Sequence, residues 1–153
     1  MLRTSSVGTR PSTPVSELLS EKFLVTIRIV RLGTERLDGE GLRIGTVRRP
    51  PRGVKKEDFS RKNYYDVWFP NLAPSADLLK NHFPIGTEKT WSTFKREFIR
   101  EMREATAARE LDLLAALSKH NNFSIGCYCE DENYCHRSLL RELLKARGAT
   151  LDE

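Results

Sequence analysis

The order of apolar and polar positions divides the chain into short strands and amphipathic helices. Residues 23–31 are apolar and β-branched, interrupted by Thr26 and Arg28, and predict a strand. Residues 42–47 predict a second strand, and residues 64–69 a third that is closed by Pro70. Residues 123–129 predict the last. The polar stretch 33–41 is a turn region. Adjacent Pro50 and Pro51 deny residues 48–56 a hydrogen-bonded ladder, so that segment is a loop.

Between the strands the period changes. Ser75 is a suitable N-cap for a short helix through Lys80, broken by Pro84 and Gly86. Trp91, Phe94, Phe98 and Met102 recur at spacings of three and four, which places them on one stripe of a longer helix starting at Thr90 or Ser92. Residues 111–117 continue in that register and end near His120. A final helix over 135–147 turns Leu139, Leu140, Leu143 and Leu144 inward, with Gly148 as its stop. Strands alternating with helices predict an α/β layered fold, whose ligands sit beyond the carboxyl ends of the strands. The loops after Val47 and Cys129 are therefore the places to look for chemistry.

Length and composition bound this picture. A chain of 153 residues suits one domain with a core that needs no disulfide or metal staple. Residues 21–150 are read as that domain. Residues 1–20 are read as a disordered tail, with a short helical turn expected at its end, over residues 16–22. The first sixteen residues contain no acid, but they lack the apolar segment of a signal peptide, and Pro11 and Pro14 oppose an amphipathic transit helix. No run of about 18 apolar residues exists, so no transmembrane helix and no membrane partner is expected.

Charge is unevenly placed. The chain carries +5, yet residues 43–62 alone hold eight bases against two acids, so the remainder is nearly neutral. The basic loop is either a solvated face or an anion-binding segment, with Gly53 letting backbone amides approach a ligand. Nucleic acid is an alternative partner for it, but no zinc-finger or RNP signature accompanies the charge.

The three cysteines, Cys127, Cys129 and Cys135, all fall within nine residues. An odd, clustered number argues against a secreted disulfide scaffold and for a reducing, cytoplasmic setting. Cys127 and Cys129 share a strand face. Cys135, His136 and Arg137 open the last helix, where unpaired amides carry partial positive charge. Three readings follow. Arg137 and His136 hold a phosphate or carboxylate there, with His136, Cys135 and Cys127 as catalytic candidates. Alternatively, Cys127, Cys129, Cys135 and His136 bind a metal, although adjacent Cys135 and His136 rarely share one ion. The third reading is plain burial of small thiols. The Cys-x5-Arg spacing of a phosphatase loop is absent, because Arg137 follows Cys129 by eight residues and Cys135 by two.

Several segments together resemble the family catalogued as domain of unknown function 488. They are Pro51-Arg-Gly-Val-Lys-Lys56, Leu72-Ala-Pro-Ser75 with Leu78 and Leu79, Trp91 with Phe94 and Phe98, and Cys127 with Cys135-His-Arg-Ser138. They occur in the family's order over about residues 23 to 147. The resemblance implies a three-layer, Rossmann-like α/β sandwich with a central, mainly parallel sheet, in a cytoplasmic protein. It implies no reaction, and no cofactor is expected. It supports one site shared by both loops, in which Arg48, Arg52, Lys55 and Lys56 meet His136 and Arg137 around a small anionic ligand.

Overall fold

The computed structural model describes Gly8, residues 26–83 and residues 85–152. The expected tail apart from Gly8, the helical turn over 16–22, residues 23–25 of the first expected strand and Pro84 lie outside the described residues. Four strands form one sheet: β1 (Ile27–Arg31), β2 (Leu42–Gly45), β3 (Val67–Trp68) and β4 (Phe123–Cys127). Their order is β1-β4-β2-β3 and every pairing is parallel. β4, with all five residues buried, lies between β1 and β2. A near-continuous apolar run is what a strand covered on both faces requires.

Register separates the two faces. Ile27 and Ile29 lie beside Phe123 and Ile125, and Ile44 lies on the other side of Ile125. These side chains meet the four α-helices among the described residues: α1 (Ala76–His82), α2 (Glu88–Met102), α3 (Ala105–Leu117) and α4 (His136–Ala146). Phe94, Phe98, Met102, Leu111, Leu140 and Leu144 fill the space between. The expected α2 stripe is therefore the core of the helical layer.

The opposite face is covered, among the described residues, by loops and one short 3-10 turn, Lys56–Asp58, with no α-helix. Gly45 and Gly126 sit side by side in the sheet. A Cβ on Gly45 would lie 2.4 Å from the Tyr65 ring, and one on Gly126 would lie 2.6 Å from Leu32. Only glycine lets that third layer descend so closely. Beneath it Arg43 is fully buried: Nε and Nη2 donate to Glu40 at 2.9 and 3.1 Å, and Nη1 donates to the carbonyls of Thr34 and Asn63, both at 2.8 Å. Ser124 donates to the same Glu40 carboxylate at 2.7 Å. A buried ion pair with its remaining groups satisfied fixes loop geometry. Arg43 thus leaves the basic loop in which its sequence position places it.

The α/β, Rossmann-like, parallel architecture is as the sequence implies, with differences at element ends. α2 begins at Glu88 because Thr87 accepts from the Thr90 amide and Thr90 returns the bond to the Thr87 amide. The chain leaves α2 after Met102 and restarts at Ala105, so α3 is a separate helix. Ser75 caps α1, and Gly148, at φ +77°, follows α4. β3 pairs over only two residues, since Tyr65 is drawn down onto Gly45 instead of continuing the ladder. β4 leaves the ladder after Cys127, which takes Tyr128 and Cys129 out towards the loop after β2.

Candidate functional site

β2 and β4 are neighbours, so their carboxyl ends release the two expected loops side by side. The loops meet across a cleft of about 550 Å³. Cys127, Cys129 and His136 form its floor, Tyr64 and Phe83 contribute its walls, and Arg49 and Arg52 stand at its exposed rim. The Tyr128 hydroxyl donates to the Arg49 carbonyl at 3.0 Å and ties one loop to the other.

The arginines divide by what they already hold. Arg48 donates through Nε to the Pro74 carbonyl at 3.0 Å and through Nη2 to those of Pro70 and Ala73 at 3.0 and 3.3 Å. It fastens the 70–75 turn and borders the cleft without a free fork. Arg137 is 4% exposed, and its Nη2 donates to the Cys129 carbonyl at 2.7 Å. Its Nε is buried without a partner, and it makes no ion pair among the described residues. Arg52 lines the cleft with an exposed side chain, as does Arg49, which nothing in the sequence sets apart from the other bases of the loop. Lys55 is exposed outside the cleft, and Lys56 borders a separate groove with Phe59 and Trp68.

His136 is 5% exposed and packs on Phe98 with ring centroids 5.6 Å apart. Its Nε2 lies 2.6 Å from the Thr46 carbonyl, 90 residues away in sequence. A carbonyl only accepts, so Nε2 carries the proton and donates. Nδ1 then faces the Cys135 sulfur at 3.8 Å. The start of α4 is thereby pinned to the end of β2.

The sulfurs of Cys127, Cys129 and Cys135 lie within 4.8 Å of one another, with Cys127 and Cys129 3.8 Å apart. Cys127 and Cys135 are buried, Cys129 half-buried, and none is in a disulfide. Cys129 loses its proton most readily. The thiols of Cys127 and Cys135 bond to it and Arg137 adds positive potential, which together outweigh its burial. Cys127, the donor in that exchange, is pushed up by its bonds to Cys129 and Cys135 and by burial. Cys135 is lowered, chiefly by the Cys127 thiol. Burial raises the neighbouring Tyr128 phenol, so it stays a donor.

Of the expected residues, the structure brings Arg48, Arg52, Cys127, Cys129 and His136 to one cleft, with Cys135 and Arg137 beneath it. Leu79, Phe83 and Pro74 complete the apolar wall. Their sequence signal was weak: Phe83 is an apolar residue just past a helix end, 53% exposed, with no polar motif beside it.

No curated protein and no solved structure matches the chain. A family model does: DUF488-N3a, described as the active DUF488-N3 subclade, matches residues 27–148. That span holds strands β1 to β4, both loops and helices α1 to α4, and the chain belongs to the family of domain of unknown function 488, in this subclade.

Proposed function

We propose that this protein binds a small phosphate-bearing ligand with a flat apolar body in the cleft between residues 48–56 and 127–137. The observation that carries the reading is the cleft itself, which unites the exposed guanidinium groups of Arg49 and Arg52, unpaired among the described residues, with an apolar wall at the carboxyl ends of two parallel strands. Arg49 and Arg52 hold the anion, while Tyr64 and Phe83 flank the body. Arg48 and Arg137 act as fasteners of the two loops. The subclade's description as active supports a chemical role for the protein, and the half-buried Cys129 is the thiol in this cleft whose ionisation is favoured. Three unbridged thiols support a cytoplasmic setting. Among the described residues, no helix is long and apolar enough to cross a membrane.

AMP, adenosine and inorganic phosphate separate the two parts of such a ligand. A ligand at about 100 times its Kd stabilises the native state by about 2.7 kcal/mol. AMP is expected to raise the melting temperature more than adenosine or phosphate does. Arg49→Ala and Arg52→Ala should each reduce the AMP shift, and Phe83→Ala should reduce the shifts with AMP and adenosine alike. No shift with any probe, or an AMP shift intact in both arginine variants, would overturn the reading.

A further inference from the structure

We propose that Cys127, Cys129 and Cys135 form a three-thiolate site for a thiophilic divalent cation of the zinc type, with its fourth position open to the cleft. Ligands at about 2.3 Å around a tetrahedral zinc ion are about 3.8 Å apart. Cys127 and Cys129 already stand 3.8 Å apart, and all three sulfurs lie within 4.8 Å. Closing the set requires the remaining separations to shorten by no more than about 1 Å, within the reach of side-chain rotation. The backbone favours this convergence. Two ligands leave the end of β4, and the third occupies the N-cap of α4, where the first amides stabilise a thiolate.

The second observation is a charge without a partner. Arg137 is buried, makes no ion pair among the described residues and has an unsatisfied Nε. Buried charges are ordinarily paired. On binding, each thiol gives its proton to solvent. Three thiolates and a divalent ion then leave one negative charge, which Arg137 balances. His136 stands behind the ligand set: Nε2 donates to the Thr46 carbonyl and Nδ1 faces the Cys135 sulfur at 3.8 Å, a hydrogen-bond distance for sulfur and not a metal-ligand one. The open position faces the cleft because Cys127 and Cys129 line it. This site stands apart from the anion reading, since an ion can enter with the cleft otherwise empty.

The test uses the full chain, reduced and kept anaerobic, titrated with cobalt(II). One equivalent is expected, with the visible bands of tetrahedral cobalt and a thiolate charge-transfer band in the near ultraviolet, and zinc(II) should bleach both. Cys127→Ser, Cys129→Ser and Cys135→Ser should each abolish the charge-transfer band or sharply weaken it. Circular dichroism identifies any variant that unfolds. Cys129 is only half-buried, so its variant remains informative if the other two do not fold. Arg137→Gln should weaken binding by about 10- to 100-fold, as loss of an outer-shell partner does. Azide should shift the visible bands by entering the fourth position. Absence of a cobalt complex, or bands that survive Cys129→Ser in folded protein, would overturn the site. Bands indifferent to azide would overturn its open position. AMP shifts measured on metal-free protein report on the anion reading separately.

Discussion

At the scale of single residues, the arginines show how far composition can mislead. The sequence counts Arg43, Arg48 and Arg52 as equal members of one basic loop, but the structure gives them three jobs. Arg43 neutralises buried Glu40, Arg48 ties down three carbonyls, and Arg52 stands exposed at the cleft rim. No local pattern separates them, because their partners lie up to 26 residues away. The distinction is measurable. Arg48→Met keeps most of the aliphatic stem and deletes the fork. Charged hydrogen bonds contribute about 1.5–3 kcal/mol each, and water can replace part of that at a half-buried site. Chemical denaturation of Arg48→Met is expected to show a loss of about 2 kcal/mol. A variant of unchanged stability that no longer responds to AMP would instead make Arg48 an anion ligand. The cysteines were more legible. Their close spacing placed them together, but only the release of β4 from the ladder after Cys127 brings the Cys135 sulfur to the other two.

At the scale of elements, periodicity found what burial governs and missed what tertiary contact governs. The apolar stripe of α2 and the buried run of β4 were readable because one face, or both, must leave water. The break between α2 and α3 was not, since residues 103 and 104 are neither Gly nor Pro and the apolar spacing runs on through them. β3 misled in the opposite sense. Tyr64 and Tyr65 look like strand residues, yet Tyr65 serves as the lid over Gly45, a role visible only once Gly45 and Gly126 are known to be adjacent. The start of α2 can be checked directly. Thr87 accepts from the Thr90 amide at 3.2 Å, and Thr90 accepts from the Thr87 amide at 3.0 Å. Thr87→Ala is expected to cost about 1 kcal/mol, read as a lower melting temperature. A helix beginning at Thr90 or Ser92 would leave that substitution silent.

For the whole molecule, stability against acid should depend on two carboxylates that join the non-helical layer to the sheet. Burial opposes the ionisation of Asp66. The Arg36 fork at 2.7 and 3.0 Å, the Ser60 hydroxyl and the Arg43 amide at 2.8 Å outweigh it and hold the carboxyl at about 2. Burial likewise opposes ionisation of Glu40, and Arg43, Ser124 and the Leu37 amide lower it in the same way. Both groups ionise more readily folded than unfolded. Their contribution is therefore complete above the unfolded carboxyl values near 4 and is lost as pH falls from about 5 towards 2. The urea midpoint should decline across that window. Growing positive charge on a chain that is already +5 adds repulsion in the same direction, so the wild-type slope alone does not isolate the carboxylates. Asp66→Asn does. It should be less stable than wild type at pH 7, where the ion pair is absent. It should also fall less steeply below pH 5, because the repulsion persists and the linked proton uptake at Asp66 does not. The two curves should converge near the lower end of that window. Parallel curves over the whole range would mean that Asp66 gains nothing on folding, and that Arg43 and Glu40 hold the layer without it.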